Sequence, residues 1–295
     1  MRSALAEPPF APVLSRFPSK PAGDPRPALA GAIPGLVHEA RRALARDPAD
    51  AQGLHRLRVA LKRMRSLWRL AYSLRPGPGP RRARASLGRA ARRLAPARNR
   101  EVAECLLREF LMIETPSRRP LPPPRGATEQ AGDLVEASVL EFLAFPLPRE
   151  GPKPWKDALA KAYRRARARM PDSKSAGDEA FHAWRKTVKD LLYGLEAWPD
   201  RRRDRFQRLL AKLEVLQQGL GRSHDLSMAE AILDASSGEK EQKAGDGWPS
   251  SRKERRHALR RIEAEKKSWK GKCLRYGKKL FGEPAAKFRN RFLNP

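Results

Sequence analysis

Cysteine is nearly absent from this chain: Cys105 and Cys273 are the only two in 295 residues. They lie far apart and match no metal-ligand spacing, so neither a disulfide framework nor a zinc site is expected, and no cofactor is implied. Long apolar runs are missing as well. No stretch of about 18 apolar residues occurs, so no membrane-spanning helix is expected. Residues 1–34 carry eight prolines and no continuous apolar segment. They do not resemble a secretory signal, and a cytoplasmic protein is the expectation. Strands of alternating apolar and polar residues are not found, which leaves an all-α fold class. Aromatic residues make up only 7% of the chain, and none forms a stacking pattern beside basic residues. Acidic residues are scarce in one telling place: none occurs between His55 and Arg100.

What is present is positive charge. Lys and Arg total 63 against 33 Asp and Glu, a formal net charge of +30. Solubility of a small domain needs only about 2–8 charges. A field this one-sided attracts a polyanion, such as nucleic acid, polyphosphate or an acidic membrane surface.

Proline and glycine punctuate a helical pattern. Residues 1–30 are Pro-rich and read as a disordered tail. Helices are expected over 34–46, 51–73, 81–95, 100–113 and 128–145 in a first bundle (31–145), and over 155–170, 178–198, 201–219, 222–235 and 252–281 in a second (155–290). The run Pro76-Gly-Pro-Gly-Pro80 separates two of them, and the Pro-rich stretch 146–154 marks the boundary between bundles.

The two halves repeat one another. Residues 54–67 read Leu-His-Arg-Leu-Arg-Val-Ala-Leu-Lys-Arg-Met-Arg-Ser-Leu, and 181–194 read Phe-His-Ala-Trp-Arg-Lys-Thr-Val-Lys-Asp-Leu-Leu-Tyr-Gly. The shared pattern is apolar-His-x-apolar-Arg-x-x-apolar-Lys-x-apolar. Arg98-Asn99 follows His55 by 43 residues, and His224-Asp225 follows His182 by 42. Two correspondences at nearly constant offset argue for duplication. On a helix, His55, Arg58, Lys62, Arg65 and Arg69 fall within an arc of roughly 80°. Leu54, Leu57, Leu61, Met64 and Trp68 fill the adjoining apolar arc. The basic stripe therefore borders the packed face, at the mouth of a groove between helices. In the second copy His182, Arg185 and Lys189 take the same stripe. Like charges one turn apart cost about 0.2–0.5 kcal/mol per pair, and a bound anion would relieve that cost.

These residues resemble the hallmark of a known family, the CHAD domain (conserved histidine α-helical domain). Its His-x-x-Arg-x-x-x-Lys/Arg-x-x-Arg pattern is matched by His55-Arg-Leu-Arg58-Val-Ala-Leu-Lys62-Arg-Met-Arg65, and less fully by His182-Ala-Trp-Arg185-Lys-Thr-Val-Lys189. The segment Leu220-Gly-Arg-Ser-His224-Asp225 resembles the family's second motif. The resemblance covers residues 31–290. It implies two helical bundles related by pseudo-twofold symmetry, and non-catalytic binding of inorganic polyphosphate along a basic groove, sometimes at polyphosphate granules. The residues it brings forward are His55, Arg58, Lys62, Arg65, Arg98, His182, Arg185, Lys189 and His224. The sequence departs from the pattern at Leu192, Asn99 and Asp190, and Glu196 closes the second stripe on the same face. A stronger grip on the His55 side is the expectation.

Further basic clusters flank these helices. Arg41 and Arg42 open the first half as Tyr163, Arg164 and Arg167 open the second, and both sets are expected on the groove. The last helix carries 13 basic and three acidic residues over 252–279, and either extends the groove or is simply exposed. Glu263-Ala-Glu265-Lys-Lys267 fits a motif of triphosphate tunnel enzymes. That chemistry needs alternation on a barrel strand, whereas on a helix positions two apart diverge by about 200°. No P-loop and no nucleophile–base arrangement occurs, so no enzymatic activity is expected. The protein chemistry suits phosphate: Arg offers a planar fork and Lys a compact charge. Cationic histidine would strengthen binding below about pH 6.5. Nucleic acid is the alternative partner, since electrostatics alone does not discriminate.

Overall fold

A computed structural model of the chain describes residues 26, 30–96, 102, 105–106, 109, 122–147, 153–196, 204–235 and 252–293. The expected disordered tail falls outside these residues except at Arg26 and Ala30, both buried. Arg26 donates to the carbonyls of Leu143 and Phe145 at 2.8 and 2.7 Å. It thereby satisfies acceptors that a helix C-terminus leaves open. Much of the expected helix over 100–113 and the loop over 236–251 also lies outside the described residues.

Among the described residues, nine α-helices have defined bounds: α1 (Ile33–Arg46), α2 (Ala51–Leu74), α3 (Pro78–Arg93), α4 (Ala127–Ala144), α5 (Lys153–Ala168), α6 (Asp178–Glu196), α7 (Asp204–Ala235), α8 (Arg252–Leu280) and the short α9 (Ala285–Phe288), which runs into a π-turn (Arg289–Leu293). Among the described residues there is no strand, and no helix is long and apolar enough to cross a membrane.

Local chemistry explains most helix starts. Pro34 occupies the first turn of α1, where a missing N–H costs nothing. Asp50 caps α2 by accepting from the Gly53 backbone N–H. Gly126, at φ 71°, makes the left-handed turn into α4. The Pro76–Pro80 run differs from expectation: α3 starts inside it, at Pro78, because prolines in a first turn help a helix begin.

Two bundles form. Helices α1 to α4 pack on one another around α2, and α5 to α8 pack around α6 and α7. One large hydrophobic cluster spans both bundles, joined where α2 meets both α5 and α6, and a smaller one lies between α7 and α8. Trp68 and Trp184 are fully buried within the larger. Trp68 also donates to Ser138 Oγ at 2.7 Å and meets Phe142 edge-on. Truncating a tryptophan so placed costs about 3–5 kcal/mol.

Helix α7 corrects the expected break near residues 219–222: it runs unbroken for 32 residues, about 48 Å. Gly219 and Gly221 do not interrupt it, and close packing demands the glycine at position 219. A Cβ on Gly219 would stand 2.8 Å from Cys273 Sγ of α8. The turn beyond α8 was not anticipated. Its Phe288 stacks on Tyr163 at 4.1 Å, so the C-terminal segment completes the second bundle's core.

Candidate anion-binding groove

The stripes of α2 and α6 meet at the seam between the bundles. Along α2, Arg58, Lys62, Arg65 and Arg69 are half-buried, while His55 is exposed near the helix start. Arg58 donates to the Leu94 carbonyl at 2.9 Å, which fixes its guanidinium beside the end of α3. Across the seam lie His182, Arg185 and Lys189 of α6 and His224 of α7. The rings of His182 and His224 stack 4.3 Å apart. The Arg185 guanidinium packs beside Gly221 of the Leu-Gly-Arg-Ser-His-Asp segment, so the first motif of the second half meets its second motif across α6 and α7.

The electrostatics show how tightly these cations are gathered. Burial pushes the Lys189 ammonium down to about 6, and the charges of Arg185, Lys62 and Arg58 push the same way against Asp225. Burial holds His182 at about 4, aided by Lys186, Arg185 and Lys189. His224 falls to about 3 through burial and the charges of Arg185, His182, Lys62 and Lys186. Cations from both halves thus act on the same few groups. Arg185 Nε and His182 Nδ1 are buried with no hydrogen-bond partner among the described residues. Such donors are costly to leave unmet. The arrangement can receive phosphate oxygens through forked arginines and point-charge lysines.

One step further along the seam the charge balance changes. Asp190 pairs with Arg69 at 2.7 Å and accepts from Ser66 Oγ at 2.7 Å. Arg65, Arg84 and Arg165 surround it. Burial lowers each of these three guanidinium pKa values, with Arg69 adding to the effect. Arg84 and Arg165 escaped the sequence reading, which chose Arg164 and Arg167 by their nearness to Tyr163. The usable signal was Arg165's spacing of three and seven residues from the buried Ala162 and Ala158. That spacing places it at the border of the packed face.

The remaining expected residues divide. Tyr163 does not join the groove: it is 1% exposed, and its hydroxyl donates to the Glu283 carbonyl at 2.9 Å. Arg167 donates to the Phe281 carbonyl at 2.9 Å, tying α5 to the end of α8. Arg164 is exposed and lies near enough to lower Arg165. Arg41 pairs with Asp133 and Glu136 at 2.6 and 3.2 Å on the α1–α4 side, and Arg42 is exposed beside it. Arg98 lies outside the described residues. Glu196, at the end of the second stripe, pairs with Arg63 of α2 at 3.0 Å. The cation with which Asp190 pairs is Arg69 of the first half. In α8, Lys266 and Lys270 are engaged with Asp178 rather than the seam. Glu265 lies on that helix and accepts from Arg222 at 2.9 Å, so the Glu-x-Glu-x-Lys match has no barrel around it. No group of His, Cys, Asp and Glu among the described residues could hold a metal ion.

Fold and seam define a class: a duplicated helical-bundle protein with a cationic joint between its halves. The CHAD domain family model matches the chain twice, over residues 28–137 and 127–234, and the chain belongs to that family. The fold is similar to the crystal structure of the CHAD domain from the plant Ricinus communis, with a TM-score of 0.56 and 19% identity over 92% of this chain and 96% of that one. No curated protein matches the sequence.

Proposed function

We propose that the protein binds inorganic polyphosphate along the seam between its two bundles, without chemical conversion of it. The observation that carries this reading is the convergence of Lys62 and Arg58 from α2 with Arg185, Lys189 and His224 from α6 and α7. Cations outnumber the one carboxylate that acts on Lys189, Asp225, and a flexible chain of phosphates supplies further negative charge at each repeat. The resemblance to CHAD domains favours the same ligand, and with it a cytoplasmic location at polyphosphate granules. The aromatic residues beside the α6 stripe favour phosphate over bases. Phe181 and Trp184 are 4% and 0% exposed, committed to the core rather than available for stacking.

The test is retention on immobilised long-chain polyphosphate, with DNA and RNA as competitors at equal phosphate concentration. Wild type should be retained with steep salt dependence, and a variant carrying Arg58→Ala, Lys62→Ala, Arg185→Ala and Lys189→Ala should not. Equal retention of the two proteins would remove the seam as the site. Displacement by nucleic acid at parity would transfer the reading to a nucleic-acid-binding protein. Orthophosphate release with a divalent metal would overturn the non-catalytic assignment.

A further inference from the structure

A cavity of about 220 Å³ opens between α5, α7, α8 and the C-terminal turn. Its floor is apolar and aromatic: Leu209 and Phe288 are buried, and Leu280, Tyr276 and Phe292 stand half-exposed at its sides. Its rim is cationic, formed by Arg208, Lys212 and Lys279, all exposed. Arg208 and Lys212 are one turn apart on α7 and face outward together. The carboxylate at the rim, Glu283, is already paired with Arg291 at 2.8 Å. No carboxylate among the described residues pairs with Arg208, Lys212 or Lys279.

This combination differs from the seam. Lys212 precedes His224 by twelve residues, about 18 Å along α7. The seam's half-exposed rings are the imidazoles of His182 and His224, packed on each other, whereas the cavity offers phenyl and phenol rings beneath cations. A cavity of about 150 Å³ accommodates a benzene ring, so this one has room for a flat heterocycle. Three cations without carboxylate partners exceed what a single carboxylate on a small aromatic acid would neutralise. They match a chain of two or three phosphates.

We infer that this cavity is a nucleotide site, taking the base of a nucleoside di- or triphosphate against Tyr276 and Phe292 and its phosphates on Arg208, Lys212 and Lys279. The half-exposed rings supply stacking that tolerates any base, and the rim supplies charge.

Equilibrium dialysis of the full chain with ATP, tripolyphosphate and adenosine tests the assignment. The chain is compared with a cavity variant, Arg208→Ala with Lys212→Ala, and with a seam variant, Lys62→Ala with Arg185→Ala. ATP should bind wild type and the seam variant alike, and bind the cavity variant about tenfold more weakly, as expected for two lost exposed charge pairs. Tripolyphosphate should follow the opposite pattern, and adenosine should bind weakly to all three. Phe292→Ala should weaken ATP while leaving tripolyphosphate unchanged. ATP binding that falls in the seam variant and ignores the cavity variant would assign the nucleotide to the seam and overturn the inference. So would ATP and tripolyphosphate responding identically to every variant. Retention on long-chain polyphosphate reports the seam separately, so failure of one site is distinguishable from failure of the other.

Discussion

Lowering the pH from 9 to 7 should tighten polyphosphate binding, and Lys189 sets the size of the effect. Its ammonium is pushed down to about 6 by burial and by Arg185, Lys62 and Arg58, so the free protein holds it neutral across that range. A phosphate chain in the seam favours the charged form and returns the group toward its ordinary value near 10.4. Between those two values the complex holds a proton that the free protein lacks. Affinity then rises up to tenfold per pH unit, about 1.4 kcal/mol, and up to about a hundredfold from pH 9 to 7 if the restoration is complete. Below pH 6 the free lysine is already protonated and this contribution stops. His182 and His224, held at about 4 and 3, then take over. Protonation of histidine before binding is therefore not the source of the pH dependence, contrary to the simplest reading of the sequence. The complex recruits the protons.

Isothermal titration in buffers of different ionisation heat measures this directly. At pH 7.5, wild type should take up close to one proton per Lys189 engaged. Long chains should be used so that titrating end groups are few. Lys189→Arg, whose side chain stays charged, should bind without proton uptake, and Lys189→Met should lose both uptake and affinity. A wild-type affinity flat from pH 9 to 7, with no proton uptake, would refute the argument that the seam holds a suppressed cation.

Other outcomes follow from the same contacts. Lys189→Met should stabilise the unliganded protein at pH 7 by about 1 to 4 kcal/mol, read by chemical denaturation, because it removes a buried amine that the unfolded chain protonates freely. Melting temperature should fall as pH drops from about 6.5 to 4, since His182 and His224 bind protons in the unfolded chain that the folded one refuses; calorimetry with bound polyphosphate should show a smaller fall. Asp190→Ala should cost about 3 kcal/mol of stability, near the lower end for a broken buried pair because Arg69 keeps 26% exposure, while polyphosphate affinity rises as Arg69 is released. Gly277→Val should destabilise by about 1–3 kcal/mol in thermal melts, because a Cβ there would stand 2.6 Å from the Trp184 ring.

The stripe on α2 was legible because its cations recur at helical spacing beside an apolar arc, and α6 was legible as its copy. Helix starts and the all-α class followed from prolines, caps and periodicity. Partnership was not legible, because it depends on which helix lies opposite. Tyr163 and Arg167 look like further groove residues until α8 and the C-terminal turn close over them and take their hydrogen bonds. Glycine misled in α7 for a related reason. Read alone, Gly219 and Gly221 suggest a break; in the bundle Gly219 admits Cys273. Asp190 is the most instructive case. As a departure from the family pattern it looked like a defect in the second stripe. Lys189 and Asp190 are consecutive, so their side chains leave α6 about 100° apart. Lys189 turns toward Lys62 and Arg58, and Asp190 turns toward Ser66 and Arg69. Both face α2, one turn apart along it. A carboxylate on the stripe position itself would have discharged the cluster that attracts the ligand. One residue later it instead locks α6 to α2 through Arg69, so the halves are held together while Arg185, Lys62 and Arg58 still outweigh Asp225 around Lys189.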